Sequence, residues 1–599
     1  MSGSPWLDPR ELRIGLGCMR LSTEEDRDEE LAVRTIVAAL DAGITVFDTA
    51  LAYGRDDSDR GHNERLLARA LRRCAHERRA RIVTKGGMGR IGSGRVGASA
   101  VSGRMGGWVP DGRARTIRAD CEESLTALGG LAIDVYLVHA PDPRTPWATS
   151  VRALARLAEE GMVRRVGVSN VNRRQLDEAL ELAPISAVEV ALSVHDDRAL
   201  RGGVLERCEE QGIAVIAHSP LGGPRRAATL GRRQTLTDVA GAHGVTAAEV
   251  ALAWLLSLSP AVVAIPGARR PETAVSAAQA AALELEGDER DALRRAFGGA
   301  REARLGRPGA QDGSEVVVVM GIPGAGKSRL AEEYVAQGYV RLNRDERGAS
   351  LRELADALEQ ELSSGTRRVV LDNTYLTRAA RSHVIDVAGR RAIPVRCIWL
   401  ETPLAQAQVN LVERLLDRLG ALPSPDELRA LSRREPGMLA PTSQMRALRE
   451  LEPPSSDEGF ATVETVQFVR ARETVAPRPT RKGVFVAAGA LREPGWEPAL
   501  TQTEPDAPHL LFDWQPAGAA EALEPRAQLL RSVVSGPVHA ALCSHAAGPP
   551  VCWCRPPLPG LALAFARAHM LDPARSVVIG AGAAHRTLAR TLGARYVAV

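Results

Sequence analysis

The first 290 or so residues alternate between two periodicities, and this constrains the fold more than any other feature of the chain. Short apolar runs recur at regular intervals: "LRIGLG", "ITVFDTA", "RIVTKGG", "DVYLVHA", "RRVGVSN", "AVEVALS", "IAVIAHS" and "VVAIPGA". Longer amphipathic helical patterns such as "NERLLARALRRC" and "VRALARLAEEG" separate most of them. Strands that alternate with helices must pair in parallel through crossovers, and eight such units predict a (β/α)8 barrel. Polar residues stand at the C-terminal ends of the runs: Asp48, Lys85, His139, Ser169, Asn170, Glu189, His218 and Ser219. In a barrel those ends form the mouth, where catalytic groups collect. Capping of the following helices explains one or two of them. It does not explain a lysine and a histidine inside apolar strand ends.

Lysine is otherwise nearly absent. The chain has 77 lysines and arginines, and the lysines are Lys85, Lys327 and Lys482 alone. Only lysine is a compact point charge whose pKa burial can move, so a lysine kept among arginines points to chemistry. Asp48 is placed to hold the Lys85 ammonium, and Tyr53 lies one short loop further on. A buried cation beside a phenol is expected to lower the phenol's pKa from about 10, making Tyr53 an acid usable near neutral pH. His139 is placed to polarise a carbonyl oxygen. Together the four suit carbonyl reduction by a nicotinamide hydride.

The strings "GITVFDTALAYG", "IVTKGG", "IDVYLVHAPDP", "VRRVGVSN", "AHSPLGGP" and "VVAIPGARRPE" give residues 12–290 a resemblance to the aldo-keto reductases. The resemblance implies a catalytic tetrad of Asp48, Tyr53, Lys85 and His139, with Ser169 and Asn170 on the nicotinamide carboxamide. It also implies NADP(H) as cofactor, with Arg269 and Arg270 near its 2′-phosphate. Four positions depart from the family pattern. Glu189 replaces a usual glutamine, His218 a tyrosine that stacks on nicotinamide, and Ser276 and Ala277 a Glu-Asn pair at the adenine. These departures concern the cofactor grip, and a barrel that binds NADP(H) as a regulatory module is the alternative to an active reductase.

"SEVVVVMGIPGAGKSRLAEEYV" reads as a buried strand, a glycine-rich loop and a helix start, with GxxxxGK[ST] running from Gly321 through Gly324 and Gly326 to Ser328. Backbone N–H groups of such a loop surround phosphates, Lys327 reaches the β and γ oxygens of ATP, and Ser328 holds Mg²⁺. Asp345 in "NRDE" follows a short strand, where it is placed to take a hydroxyl proton. "NLVER" puts Asn410, Arg414 and Arg418 on a lid-like helix, with a solvated face the plainer reading for Arg418. With "VVLDNT" and "EPPSSDEGF", these strings over residues 314–471 resemble the kinase domain of polynucleotide 5′-kinase/3′-phosphatases. The resemblance implies Asp345 as general base toward the 5′-hydroxyl end of RNA or DNA, Asp372 as an acceptor or metal group, and Arg414 as lid arginine. A small-metabolite acceptor, a nucleoside or a sugar, stays open.

"CSHAAGPPVCWC" sets Cys543, His545, Cys552 and Cys554 at a spacing suited to a structural Zn²⁺, with buried unligated cysteines the alternative. Residues 483–599 resemble a HAD-type phosphatase of the zinc-containing histidinol-phosphate and heptose-bisphosphate branch. Val486, Ala487, Ala488, Gly489 and Ala490 stand where that family carries its nucleophile loop, and Pro556 replaces a lysine. The resemblance therefore implies an inactive α/β domain, because aspartyl-phosphate chemistry needs a carboxylate. Lys482 is expected in solvent. Gly/Arg-rich residues 299–313 and Pro-containing residues 472–482 read as linkers. They delimit a barrel over 1–298, a P-loop α/β domain over 314–471 and the HAD-like α/β domain. The net charge of +4 permits nucleic-acid binding without arguing for it. Scattered cysteines and the lack of a signal-like or membrane-spanning apolar run suggest a cytoplasmic setting.

Overall fold

A computed structural model describes residues 6–74, 77–90, 107–298, 313–348, 350–435, 437–467 and 480–599. The expected linkers fall almost wholly outside these residues. The chain forms two compact units, Met1–Glu302 and Ala303–Val599. No single helix among the described residues is long and apolar enough to cross a membrane.

The first unit contains the eight expected strands: β1 Gly15–Gly17, β2 Val46–Asp48, β3 Arg81–Gly86, β4 Val135–Val138, β5 Val166–Ser169, β6 Ile185–Ala191, β7 Ala214–His218 and β8 Val262–Ile265. They pair in parallel in chain order. An isolated parallel bridge between Ile14 and Ala264 joins the last strand to the first and closes the barrel. Closure brings backbones close. A Cβ at Gly15 would meet the Val46 carbonyl at 2.9 Å, and one at Gly167 would meet that of Ala187 at 2.3 Å, so both positions need glycine. Trp6, Val46, Val83, Val135, Ile216 and Val263 fill the interior. The strands' other faces pack on the surrounding helices in one large core. With the interior filled, polar side chains have room only beyond the strand ends.

The second unit contains two parallel sheets. The first consists of β9 Glu315–Met320, β10 Val340–Leu342, β11 Arg368–Asp372, β12 Val395–Glu401 and β13 Thr462–Gln467, in the order β10-β11-β9-β12-β13. The unbroken valines of β9 face two cores: Val316, Val318 and Met320 line one, Val317 and Val319 the other. A central parallel strand buried on both faces has no reason to alternate with polar residues. The second sheet consists of β14 Val484–Ala487, β15 His509–Trp514, β16 Val538–Cys543, β17 Val577–Gly580 and β18 Arg595–Ala598, in the order β16-β15-β14-β17-β18. Val409, Leu411, Val412, Leu415 and Leu416, on helix α1 (Leu404–Leu419), share a core with this second sheet. The lid-like helix and the C-terminal sheet are thus packed as one body.

Candidate active sites

At the barrel mouth, Lys85 is fully buried and makes an ion pair with Asp48 at the end of β2. Its ammonium also donates to the Thr49 carbonyl at 3.1 Å and to the Tyr53 hydroxyl at 3.4 Å. Parallel pairing of β2 with β3 brings these groups together. The Tyr53 ring lies edge-on to His139 at 5.7 Å and to Trp108 at 6.1 Å. All four groups expected from the sequence therefore meet.

Two expectations need correction. Lys85 does not leave Tyr53 with a depressed pKa. Burial pushes the phenol well above its ordinary value, and Asp48 and Glu189 push the same way against Lys85. The phenol is consequently a firmly neutral O–H donor. Glu189 is also not simply part of a cofactor grip. It is 3% exposed on β6, and its Oε2 lies 3.1 Å from Lys85 Nζ, a close approach rather than a directed hydrogen bond. Two acidic side chains thus crowd one ammonium, and desolvation together with Asp48 raises the Glu189 pKa to about 8, so that Glu189 keeps its proton at neutral pH. Burial holds His139 well below its ordinary pKa, so the ring is neutral, and its buried Nδ1 has no hydrogen-bond partner among the described residues.

Ser169, Asn170, His218 and Ser219 form a polar chain across the mouth. Asn170 Nδ2 donates to the His139 carbonyl at 3.0 Å and to Ser169 Oγ at 3.1 Å, and Asn170 Oδ1 is 3.2 Å from His218 Nε2. Asn170 and Ser219 both adopt left-handed backbone, with φ of 57° and 51°. Such strain outside glycine concentrates at functional sites. Burial lowers the His218 pKa to about 4, so this ring too is neutral. Arg269 pairs with Asp26 at 2.9 Å, and Arg270 is exposed. Ser276 donates to Glu249 at 2.8 Å, which ties that position to the barrel wall.

In the second unit, Gly321–Gly326 loops from β9 into the helix Lys327–Ala336. Gly321, Gly324 and Gly326 all have positive φ. Lys327 Nζ donates to the carbonyls of Gly321 at 3.0 Å and Ile322 at 3.1 Å, and desolvation lowers its pKa to about 8. Ser328 is exposed. Three side chains that the sequence did not single out as loop contacts hold the loop from outside by donating to its carbonyls. Thr402 donates to the Ala325 carbonyl at 3.0 Å, Asn410 to Gly324 at 2.8 Å and Gln444 to Pro323 at 3.0 Å. Those bonds fix the loop's carbonyls, the arrangement a phosphate-binding loop needs if N–H groups are to meet a ligand.

Asp345 is exposed beside Arg344, and Arg414 is exposed on α1 with its charge acting on Lys327. Arg418 pairs in solvent with Glu435 at 3.2 Å. Asp372 differs from expectation. Both its oxygens are taken by Arg341, at 2.9 and 2.7 Å, and Asn343 donates to one of them at 3.0 Å. It holds β10 against β11 rather than presenting a free carboxylate. The "EPPSSDEGF" string has a structural role as well: Glu458 accepts from the fully buried Arg381 at 2.7 Å.

At the C-terminal sheet, β14 ends in buried Ala487, and buried Ala488 and Ala490 follow it, so these positions place no carboxylate at the strand end. Lys482 is exposed and paired with Glu504. Cys543, His545, Cys552 and Cys554 gather with their ligand atoms all within 4.8 Å of one another. The sulfur pairs Cys543–Cys552 and Cys543–Cys554 are 3.7 and 3.4 Å apart, and His545 Nδ1 is 3.4 Å from Cys543 and 3.2 Å from Cys554. Tetrahedral zinc with Zn–S near 2.3 Å sets ligand atoms about 3.7 Å apart, so the four residues fit that ion.

The aldo/keto reductase family model matches residues 13–296, and the AAA domain model matches residues 316–423. An uncharacterised oxidoreductase of Schizosaccharomyces pombe is 28% identical over 281 residues, 46% of this chain and 83% of its own length. A probable aldo-keto reductase of Glycine max is 29% identical over 287 residues, 43% of this chain and 76% of its own. Among solved structures, a thermostable aldo-keto reductase bound to the inhibitor epalrestat is 30% identical, covering 47% of this chain and 94% of that one at a TM-score of 0.39. An aldo/keto reductase of Klebsiella pneumoniae solved with NADP and acetate is 27% identical, covering 48% and 93% at a TM-score of 0.39. The first unit thus carries an aldo/keto reductase domain over residues 13–296, and the second a P-loop domain of AAA type over residues 316–423.

Proposed function

We propose that the barrel is an NADP(H)-dependent carbonyl reductase and that the second unit is an ATP-dependent kinase for 5′-hydroxyl ends of RNA or DNA. The observation that carries the first half is the buried Lys85, paired with Asp48 and 3.4 Å from the Tyr53 hydroxyl. A bound nicotinamide would supply the hydride. Tyr53, neutral at working pH, donates its proton to the oxygen of the carbonyl being reduced, and Lys85 stabilises the phenolate left behind. Neutral His139 holds the carbonyl oxygen through a ring nitrogen. Ser169 and Asn170 would hold the carboxamide, and the exposed Arg270 would meet a 2′-phosphate. The relative solved with NADP supports this choice of cofactor. NADPH oxidation over a panel of aldehydes, compared with Tyr53→Phe, tests it.

For the kinase half, Lys327 and Ser328 would hold the phosphates and Mg²⁺ of ATP, with Asp345 as base and Arg414 over the transferred group. The C-terminal sheet, with its alanine strand end, is an inactive HAD-like domain carrying zinc, and the protein works in the cytoplasm. Transfer of labelled phosphate from ATP to 5′-hydroxyl oligonucleotides, lost in Lys327→Ala, is the expected result. Transfer to nucleosides or sugars alone would move the reading to a small metabolite. Tight NADPH binding without turnover of any aldehyde would make the barrel a regulatory module.

A further inference from the structure

The metal cluster lies beside the machinery that shapes the P-loop, and one residue joins them. Trp553 sits between two cluster cysteines, Cys552 and Cys554, and is 2% exposed. Its indole N–H donates to the Leu439 carbonyl at 2.9 Å, across 114 residues of sequence. Its ring packs in the core that contains Val409, Leu415 and Leu416 of α1 and Met438. Its own carbonyl accepts from Gly560 at 3.0 Å, where a Cβ would meet that oxygen at 2.4 Å. The tryptophan is thus wedged on every side by the lid region of the P-loop domain and by the start of the helix Gly560–Ala568.

What Trp553 holds explains its consequence. Leu439 lies just before the helix Pro441–Glu450, whose buried Gln444 donates to the P-loop carbonyl of Pro323. Two residues before Leu439, a Cβ at Gly437 would lie 3.0 Å from Arg414 Nη1, and its φ of +91° restricts the position to glycine. On the other side of the same core, Asn410 of α1 pins Gly324. The segment gripped by Trp553 therefore contacts both the phosphate loop and the lid arginine. The cluster loop is itself braced: Trp514 donates to the His545 carbonyl at 2.9 Å, and the Arg555 guanidinium stacks on the Trp514 ring at 3.8 Å.

We infer that Trp553 is a positioning residue of the P-loop site, and that a zinc ion on Cys543, His545, Cys552 and Cys554 fixes it there, making metal occupancy a determinant of nucleotide binding. Without the ion, the four ligand side chains no longer constrain the chain on either side of Trp553, and the indole loses the backbone that aims it. The C-terminal domain then has a task that needs no phosphatase chemistry: it clamps the lid of its neighbour. The effect on nucleotide rests on the kinase reading above; the clamp itself does not.

The test uses the full chain, with zinc per chain counted by atomic absorption, MgATP affinity measured by calorimetry, and amide hydrogen exchange followed over residues 437–444. Zinc-stripped protein and Trp553→Ala are expected to exchange at least about tenfold faster over that segment and to bind MgATP about tenfold more weakly. Trp553→Phe, which keeps the ring and deletes only the N–H donor, is expected to retain zinc and to weaken MgATP about fivefold. Reductase turnover by the barrel should stay unchanged throughout. If Trp553→Ala fails to fold, Trp553→Phe and the stripped wild type decide. Unchanged exchange and unchanged MgATP affinity in both would overturn the inference, as would protein that takes up no zinc when zinc is offered. If wild type binds no MgATP at all, the kinase reading fails, and the exchange difference still decides the clamp.

Discussion

The barrel mouth and the mouth of the C-terminal sheet share one geometry, parallel strands ending at a common edge, and differ in what stands there. At the barrel, β2 ends in Asp48, β3 carries Lys85 one residue before its end, and β6 adds Glu189. At the C-terminal sheet, β14 ends in Ala487 and Ala488 follows it, both buried among apolar neighbours. The first edge accepts a desolvated ammonium because Asp48 pairs with it, while Glu189 keeps its proton up to about pH 8 and adds no second full charge. The second buries apolar surface instead. Fold supplies the edge; side chains decide whether it reacts.

Lys85 and Lys327, the two lysines with proposed roles, extend the contrast, and the largest expected effect separates them. Lys327→Ala should lower phosphate transfer from ATP by about 10³-fold while leaving aldehyde reduction unchanged. Lys85→Met should do the converse, as measured in parallel assays on each variant. Next in size, Arg381→Met leaves Glu458 buried and unpaired. It should destabilise the second unit by about 3–5 kcal/mol in chemical denaturation, with the barrel's transition unmoved.

A smaller effect concerns pH. Glu189 keeps its proton in the folded protein up to a pKa of about 8, whereas an exposed glutamate loses it near 4.5. Folding therefore binds a proton between those values, and stability falls as pH rises through that window, reaching its full cost above about pH 8. Ionised Glu189 also adds a negative charge beside Lys85 and Tyr53, making the phenol a poorer proton donor. Glu189→Gln should raise the barrel's Tm more at pH 8.5 than at pH 4.5 and flatten the alkaline fall in reduction rate. Unchanged profiles would remove Glu189 from the catalytic cluster. The smallest expected effect is none: Ala487→Asp should not create hydrolysis of p-nitrophenyl phosphate, since one carboxylate does not rebuild a metal-binding edge.

Much of this was legible in sequence because it is written locally. Eight apolar runs bounded by helical patterns fix the barrel strands, and GIPGAGKS between a valine run and a helix fixes the phosphate loop. The tetrad was legible because each member ends or follows a strand. What was not legible depends on pairs distant in sequence. Glu189 reaches Lys85 only because β6 curves round the barrel to face β3, and no spacing encodes that. The same holds for Arg341 on Asp372, Arg381 on Glu458, Gln444 on the P-loop and Trp553 on Leu439. The direction of the Tyr53 shift was misjudged for a related reason. A lysine beside a phenol lowers its pKa, but burial and two further carboxylates outweigh one cation.

The most direct test of the account is NADPH oxidation by the full chain over a panel of aldehydes, wild type against Tyr53→Phe. Turnover by wild type that falls about 10²- to 10⁴-fold in the variant, with NADPH affinity unchanged, is the predicted result. A variant that reduces the same aldehyde at the wild-type rate would contradict it.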